Sequence, residues 1–353
     1  MKDSKTPQRW RTIISVLLEK GTLSSSGVHA ELLRIGESVS LVTVKRDLSE
    51  MVSRGSLASI GSGRSAAYTL TAEGRLFAKI DSRKYCAEEP DKRFGMKRYN
   101  FELFDALPSE IFSSEELRHL EEYTAEYRQR TKSLPPAIKK RELERLIIEL
   151  SWKSSKIEGN TYTLLDTEKL ILKNEKASGH DSNEARMILN HKDAFLFIRE
   201  HASRFRSLSR VNIEQIHKIL VYGLSIGSGL RKKPVGITGS LYRPLDNAHQ
   251  LAEGLDRLGK AISRMATPYA KALMALLGIS YLQPFEDGNK RTARMTANAI
   301  LLAYGCAPLS YRSVDESDYR EATIVFYEIN SIVPFKDIFI EQYEFAAKNY
   351  AVK

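Results

Sequence analysis

Apolar residues near the start of the chain recur at helical spacing and then change to the pattern of a hairpin. A stripe of five apolar residues predicts a first helix that stops at Gly21, namely Trp10, Ile13, Ile14, Leu17 and Leu18. Further helices are predicted over residues 25–35 and 40–55, the latter ending at a glycine. Short apolar runs at 57–60 and 67–71 flank a glycine-containing turn, which is typical of a β-hairpin.

From about residue 106 onward, most apolar patterns have helical spacing. The predicted helical segments are 106–135 with breaks, 138–156, 183–201, 210–222, 245–265, 268–282, 290–305 and 315–327. Before them, residues 85–98 are charged and mixed in character, which is typical of a linker. The pattern therefore predicts a mainly α chain without internal repeats.

Composition limits the class of protein. The chain has 353 residues, of which 42% are hydrophobic, which is enough for two or three domains. No apolar stretch approaches the ~20 residues that span a bilayer, and the polar start is not a signal peptide, so a cytoplasmic protein without a membrane partner is expected. Cys86 and Cys306 are its only cysteines, and no Cys or His cluster has metal-ligand spacing. Neither a disulfide framework nor a zinc site is therefore indicated.

The formal charge of +10 is concentrated near the N-terminus. Residues 1–85 hold 14 Lys or Arg against 8 Asp or Glu, a surplus of six. Such a surplus favours an anionic partner for this part of the chain.

Three helices followed by a basic hairpin are the elements of a winged helix-turn-helix, and this segment resembles the winged-helix domains of bacterial transcription regulators. The resemblance implies DNA binding through the third helix and the hairpin. Lys45, Arg46 and Arg64 would contact phosphates, with Thr43 and Ser49 near base edges. A winged helix used only for protein contact or dimerisation is the alternative.

The turn after residue 282 carries the most informative polar residues of the chain. The helix before it must end near Gln283, because Pro284 disfavours helical geometry in the preceding residue. A second helix starts at about Asn289, and Asp287-Gly-Asn between the helices offers a carboxylate, a residue free to take positive φ and an amide at the N-cap. Unpaired N–H groups and the helix dipole favour a phosphate at such a helix start.

Arg291 and Arg294 lie three residues apart, so their guanidinium groups are expected on one side of this second helix. A polyphosphate would meet both of them. By spacing alone, a helix-loop-helix corner with an Asp cap and two solvated arginines explains the same residues.

The segment from Gln283 to Arg294 resembles the nucleotide-phosphate loop of the Fic family. The family pattern is His, any residue, Phe, any residue, Asp or Glu, Gly, Asn, Gly or Lys, Arg, two residues, and Arg. This chain matches every defined position except the first, where glutamine replaces the catalytic histidine. The resemblance covers roughly residues 100–350 and implies transfer of AMP from ATP to a Ser, Thr or Tyr hydroxyl of a target protein.

The resemblance also implies a role for each loop position. Nucleotide contacts would come from the loop and the helix start, namely Asp287, Gly288, Asn289, Lys290, Arg291 and Arg294. Asp287 would hold the Mg²⁺ that bridges the ATP phosphates, and Arg294 would bind the γ-phosphate. The candidate catalytic residues are Gln283, at the position of the general base, and Asn289, which would stabilise charge at the α-phosphorus.

A second segment, Ser154-Ser-Lys-Ile-Glu158-Gly159, matches the family's inhibitory-helix pattern of Ser or Thr, three residues, Glu, and Gly or Asn. In that pattern the glutamate pairs with the second arginine of the loop, here Glu158 with Arg294. Such a pair would occupy the arginine that the γ-phosphate needs, so autoinhibition is implied. An ordinary helix-end carboxylate before a glycine stop is the alternative.

Two further segments resemble the family less specifically. Residues 229–239 resemble its flap, a hairpin that docks the target peptide, and an ordinary basic hairpin is the alternative. Four flap residues would lie along the nucleotide and target backbone, namely Lys233, Pro234, Val235 and Gly236. Tyr319 and Tyr327 lie where related proteins surround adenine, although aromatics at helical spacing are also typical of a core.

Glutamine changes the implied mechanism, because the family's histidine removes the proton from the target hydroxyl. The amide of Gln283 can orient a nucleophile but has no basic form at pH 7, and losing a general base costs about 10²–10⁴-fold in rate. One hypothesis is a weak, Mg²⁺-dependent AMP transferase inhibited by Glu158. The other is a catalytically inactive scaffold that responds to nucleotide and regulates transcription by binding DNA. A Gln283 introduced by engineering is a further alternative.

The predicted fold class is mainly α, with an all-helical Fic domain, a short β-hairpin flap and an N-terminal winged helix-turn-helix. The predicted domains are a winged helix at 1–84, a linker at 85–98, a helical region at 99–204 with the inhibitory helix at about 150–160, and the Fic domain at 205–353. Oligomeric state stays open, with a homodimer as one alternative.

Overall fold

The computed structural model describes residues 8–351, apart from the side chain of Arg64. It is mainly helical with a small three-stranded sheet, which confirms the predicted fold class. The chain divides into two compact units. The first comprises the described residues up to Pro108 together with Gly236–Arg243 and Ser317–Asp337, and the second comprises Ser109–Val235, Pro244–Glu316 and the residues from Ile338 onward. No helix within residues 8–351 is long and apolar enough to cross a membrane.

The first unit begins with three helices and an antiparallel sheet. The helices are α1 Gln8–Lys20, α2 Ser25–Arg34 and α3 Leu41–Ser53. The strands are β1 Leu23–Ser24, β2 Leu57–Ile60 and β3 Ala67–Leu70. The central strand is β3, so Tyr68 pairs with Leu23 on one side and with Ser59 on the other. The predicted helices and both predicted hairpin strands are present.

Short polar side chains fix where these helices begin. The hydroxyl of Ser24 accepts from the N–H of Gly27 at 3.1 Å, and that of Ser40 accepts from Thr43 at 3.2 Å. The predicted apolar stripes then pack together, with Ile13 and Leu48 fully buried. Three residues of the C-terminal part of this unit belong to the same core, namely Ile324, Val325 and Ile329.

The segment 85–98, predicted as a linker, is packed into the first unit. Tyr85 is buried, contacts Phe94 edge-to-face, and donates through its hydroxyl to Glu328 at 2.7 Å. Arg93 is also buried and forms an ion pair with Glu328 at 3.2 Å. Tyr85 and Arg93 therefore tie this segment to the core of the unit, whereas its other charged residues are exposed. Two short helices lie nearby in sequence, α4 Ala72–Leu76 and α5 Ser82–Ala87.

The second unit is built from longer helices. They are α6 Ser114–Ser133, α7 Pro136–Lys156, α8 Leu164–Lys173, α9 Ser182–Glu200, α10 Arg210–Leu220, α11 Ala248–Arg264, α12 Pro268–Leu282 and α13 Asn289–Ala303. Almost every residue of α12 and α13 is buried, because α13 contacts α7, α9 and α10 while α12 contacts α11. After α13 the chain forms α14 Glu316–Ile329, which belongs to the first unit apart from Glu316, and α15 Val333–Asn349, which belongs to the second unit from Ile338 onward.

The predicted flap, residues 229–239, consists of turns and irregular chain, and no strand is assigned to these described residues. Pro234 lacks an N–H to donate to a ladder. The N–H of Arg231 donates instead to the carbonyl of Pro284 at 3.0 Å. Backbone groups that a hairpin would pair with each other are thus absent or used elsewhere.

Candidate functional site

The turn between α12 and α13 begins with a left-handed residue. Gln283 has φ 47° and ψ 56°, and its N–H donates to the carbonyl of Ile279 at 3.1 Å. Its side-chain amide turns back and donates to the carbonyl of Ser280 at 2.8 Å. The predicted end of α12 at Gln283 therefore agrees with the structure, and the amide is held against the last turn of that helix.

Asn289 closes the turn from the other side. Its Oδ1 accepts from the N–H of Phe285 at 2.8 Å, and its Nδ2 donates to the carbonyl of Phe285 at 2.9 Å. Both residues are buried, so the two bonds fix the loop as a rigid bend. The Nδ2 atom carries a second N–H beyond this bond, which leaves one donor for a ligand.

His217 of α10 supports the same turn, although the sequence interpretation did not single it out. Its ring stacks on Phe285 with centroids 3.7 Å apart, and its Nε2 donates to the carbonyl of Asp287 at 3.0 Å. Burial lowers the pKa of His217 to about 4, so the ring is neutral near pH 7. The available signal was a histidine on the apolar face formed by Ile213, Ile216 and Leu220.

Asp287 and Arg291 form an ion pair at the start of α13. The Nη2 atom of Arg291 donates to Oδ2 of Asp287 at 3.0 Å, while Oδ1 accepts from the N–H of Gly288 at 2.5 Å. The Asp287 side chain is 63% exposed, whereas that of Arg291 is 2% exposed. Burial lowers the pKa of Arg291, and its Nη1 has no hydrogen-bond partner among the described residues. This buried donor can bind an anion at the helix start.

Arg294, one turn further along α13, is also buried, and both its Nε and its Nη2 donate hydrogen bonds to α7 or the residues just after it. Its Nη2 donates to Oε1 of Glu158 at 2.8 Å and to the carbonyl of Ser154 at 2.8 Å, and its Nε donates to the Ser154 hydroxyl at 2.8 Å. The structure thus brings together Ser154, Glu158 and Arg294. The two arginines, expected to share a ligand, have different protein partners.

Glu158 is charged at this position. Burial by itself would raise the pKa of its carboxyl, but Arg294 and Lys290 outweigh that effect and hold the pKa below its ordinary value. The Nζ of Lys290 lies 3.8 Å from Oε2 of Glu158. The carboxylate therefore faces two cations of α13.

His191 of α9 completes the contacts of Ser154 and was likewise missed in the sequence. Its Nε2 lies 2.9 Å from the Ser154 hydroxyl, and its Nδ1 lies 2.8 Å from the carbonyl of Met187. Because a carbonyl only accepts, Nδ1 carries the proton and Nε2 accepts from Ser154. Burial lowers the pKa of His191 to about 3, which keeps this arrangement neutral.

Arg231 joins the predicted flap to the turn. Its Nε donates to the carbonyl of Gln283 at 2.7 Å, its Nη1 to that of Lys233 at 2.8 Å, and its Nη2 to that of Leu245. A groove of about 440 Å³ lies here, and the residues that line it include Lys233, Pro234, Val235 and Glu286. Three of the four predicted flap contacts therefore lie beside a residue of the turn. Gly236 belongs to the first unit.

The two predicted adenine contacts are core residues of the first unit. Tyr319 is buried with its ring 4.9 Å from that of Phe335, and Tyr327 is buried with its ring 5.6 Å from that of Tyr242. Their aromatic rings are used in packing.

The predicted DNA contacts lie on or near α3 in the first unit. Lys45 and Arg46 are exposed on this helix. The Thr43 hydroxyl lies 2.9 Å from that of Ser40, so it takes part in the helix N-cap. The side chain of Arg64 lies outside the described residues.

Comparison with known proteins identifies the region that holds the turn. The model described as the Fic/DOC family matches residues 207–301, which include Gln283, Asp287 and both loop arginines. Residues 207–301 form a Fic/DOC family domain. Ser154 and Glu158 lie before the matched Fic region, and Tyr319 and Tyr327 lie after it.

Relatives and solved structures agree with this region. The chain is 27% identical to the protein adenylyltransferase Fic of Nematostella vectensis over 186 residues, which are 52% of this chain and 44% of that protein. It is 26% identical to the protein of the same name from Drosophila willistoni over 166 residues, 46% of this chain and 33% of that protein. The chain thus spans less than half the length of these curated relatives.

Two solved structures share the fold. A Fic domain containing signaling protein from Bacteroides thetaiotaomicron has a TM-score of 0.55 at 21% identity, covering 65% of this chain and 94% of that one. Residues 134–508 of Fic-1 from C. elegans give a TM-score of 0.55 at 18% identity, covering 67% of this chain and 70% of that one.

Proposed function

We propose that the Fic domain binds ATP at the turn between α12 and α13, and that Glu158 holds this site in a closed state. The observation that carries the proposal is the buried contact of Arg294 with Glu158 and Ser154. A phosphate group that needs Arg294 must first displace a carboxylate at 2.8 Å. ATP affinity is therefore reduced by the free energy of this exchange.

The start of α13 supplies the other groups that would bind the phosphates. Gly288 takes φ 77°, which places the first N–H groups of α13 at the turn without a side chain in front of them. Arg291 adds a buried guanidinium whose Nη1 has no partner among the described residues. A triphosphate would satisfy this donor.

Mg²⁺ fits the turn before α13 only when it is bound together with the nucleotide. No group of three or more His, Cys, Asp or Glu side chains suited to a metal occurs within residues 8–351. A single exposed carboxylate, Asp287, is adequate for Mg²⁺ that takes its other ligands from phosphates and water. When bound, the ion would neutralise charge on the phosphates.

AMP transfer is the activity in the names of the relatives, and we propose it here in an impaired form. The target hydroxyl oxygen would attack the α-phosphorus, pyrophosphate would leave, and the hydroxyl proton would need an acceptor. The Gln283 amide has no basic form at neutral pH, and its Nε2 donates to Ser280. Nucleotide binding is thus the principal role of the site, and transfer is slow for want of a base.

Calorimetric titration of ATP with Mg²⁺ tests the proposal. Glu158→Gly should bind ATP about 5–150-fold more tightly than the unchanged chain, the usual range for coupling between competing contacts. Adding Arg294→Ala to Glu158→Gly should abolish that gain. Equal ATP affinity with and without Glu158 would remove the basis of the closed state, and undetectable binding to both would remove the nucleotide site itself.

A second function, DNA binding by residues 8–84, is favoured by a separate observation. Lys45 and Arg46 are exposed on α3 and form no ion pair with a described carboxylate. Phosphate contacts from such a helix give affinity that falls steeply with salt. A double Lys45→Ala, Arg46→Ala change should weaken binding to duplex DNA and reduce its salt dependence. Unchanged DNA binding in that variant would contradict the assignment of α3.

A further inference from the structure

A cavity of about 410 Å³ opens in the second unit where α6, α9 and α13 end. Its wall includes Leu302, near the last residue of α13. The nucleotide site lies at the first residue of the same helix, about 20 Å away along its axis. The volume lies within the range of small-molecule sites, roughly 300–1,000 Å³.

The wall of this cavity is mainly apolar. Tyr127, Ala202 and Leu302 contribute ring and aliphatic surface. Thr131 donates its hydroxyl to the carbonyl of Tyr127 at 2.7 Å, so that polar atom is already satisfied. Burial raises the pKa of Cys306, which therefore presents a neutral thiol. An apolar body would replace water here at little cost in hydrogen bonds.

Three cationic residues line the same cavity, namely Arg128, Lys132 and Arg199. No Asp or Glu is among the described residues that line it. Arg128 is held in place, because its Nε donates to the carbonyl of Gly305 at 3.0 Å and its Nη2 to that of Tyr304 at 2.7 Å. These bonds use two of its five donors. Neither Arg128 nor Lys132 forms an ion pair with a described carboxylate.

The negative ends of the helices offset only part of this positive charge. Each helix C-terminus carries about half a negative charge, and three of them end near the cavity. The two full positive charges of Arg128 and Lys132 alone exceed this negative charge, by about 0.5 by the same figure. The excess lies beside an apolar wall rather than in open solvent, which favours a ligand that carries both an apolar body and a negative group.

We propose that this cavity binds an amphipathic anion, a molecule with a single carboxylate or sulfonate attached to a short aliphatic or aromatic body. The body lies against Tyr127, Ala202 and Leu302. The anionic group lies at the rim formed by Arg128, Lys132 and Arg199.

The test uses the full chain and the fluorescent probe 1-anilinonaphthalene-8-sulfonate. The probe should bind saturably to one site, and octanoate at millimolar concentration should displace it. Octyltrimethylammonium, which has the same chain length and the opposite charge, should displace it poorly. Equal displacement by both, or no saturable binding of the probe, overturns the proposal.

Two variants locate the site. Ala202→Trp fills the cavity and should abolish probe binding, with circular dichroism and a melting curve to establish that the variant is folded. Lys132→Glu changes an exposed side chain and should weaken octanoate about threefold or more. Lys260→Glu on α11, outside the cavity wall, is the matched control and should leave it unchanged. Equal effects of Lys132→Glu and Lys260→Glu, or probe binding retained by folded Ala202→Trp, also overturn the proposal.

Discussion

The hydroxyl of Ser154 lies 2.9 Å from Nε2 of His191 and donates its proton to that nitrogen. A hydroxyl has one proton, so the lone pairs of Ser154 are left to accept from Nε of Arg294 at 2.8 Å. His191 cannot reverse this direction, because its Nδ1 proton is held by the carbonyl of Met187. Arg294 is therefore restrained twice, by the charge of Glu158 and by a neutral chain of hydrogen bonds.

The neutral restraint leads to a stability prediction. Ser154→Ala removes one acceptor from buried Arg294 and one donor to buried His191, so the free energy of unfolding should fall by about 1–3 kcal/mol. Urea unfolding measures this loss. Ser155→Ala is the matched control, because the Ser155 hydroxyl lies 3.5 Å from His191, at the limit of a hydrogen bond. An equal loss in the two variants would mean that cavity formation, and not the hydrogen bonds, sets the cost.

The charged restraint should depend on pH. Glu158 faces Arg294, Lys290 and Arg291 of α13, with neutral His191 nearby, and its pKa is held below the ordinary value of 4.5. A carboxyl with a depressed folded pKa stabilises the fold above its unfolded pKa, and loses that contribution as pH falls through the folded pKa. The difference in unfolding free energy between the unchanged chain and Glu158→Gln should thus be full near pH 7 and shrink below about pH 4.5.

Urea titrations at several pH values measure this difference. Glu175→Gln, on the loop after α8, controls for the general loss of a carboxylate. A constant difference from pH 7 down to acid denaturation would show that the Glu158 charge does not stabilise the apo fold.

The sequence predicted the turn from local signals, because Pro284 limits the helix before it and Gly288 permits the turn. The pair of Glu158 with Arg294 was instead implied by the resemblance to the Fic family, since no local pattern joins residues 136 positions apart. The helices of the first 60 residues were predicted closely from local signals, since serine caps, glycine stops and apolar stripes lie within each segment.

Contacts between distant parts of the chain could not be predicted in this way. His191 and His217 lie 92 and 66 residues before Gln283, and nothing in their neighbours in sequence indicates that they contact Ser154 and Asp287. The charged residues of 85–98 suggested a linker because Glu328, the partner of Tyr85 and Arg93, lies more than 200 residues later. The flap lacked a hairpin because Arg231 bonds to the carbonyls of Gln283 and Pro284, a pairing that no local pattern shows.

Gly288 provides a prediction for the phosphate site. It has φ 77°, and an added Cβ would lie 3.3 Å from Val221 and 3.4 Å from Nη2 of Arg291. Gly288→Ala should therefore lower the free energy of unfolding by about 1–2 kcal/mol and weaken ATP binding. Gly305→Ala is the control, because Gly305 has φ 65° at the other end of α13 and its nearest neighbours lie at 3.8 Å or more.

Both glycine variants should show backbone strain in urea unfolding, but calorimetry should find weaker ATP binding in Gly288→Ala alone. Measuring ATP binding of both glycine variants in the Glu158→Gly background gives the larger calorimetric signal, because ATP affinity is expected to be higher there. The same ATP affinity for both variants would place the phosphates elsewhere than at the start of α13.

Gln283 provides the prediction that separates an impaired transferase from a scaffold that only binds. Histidine tolerates the left-handed geometry of φ 47° found here, so Gln283→His should preserve the turn. In the Glu158→Gly background it should raise transfer of labelled AMP from ATP to protein by about 10²–10⁴-fold, because it restores a base near pH 7. Gln283→Asn in the same background keeps an amide and tolerates the same backbone, so its rate should stay at the level of Glu158→Gly. If histidine and asparagine give equal rates, proton transfer at residue 283 does not limit the reaction.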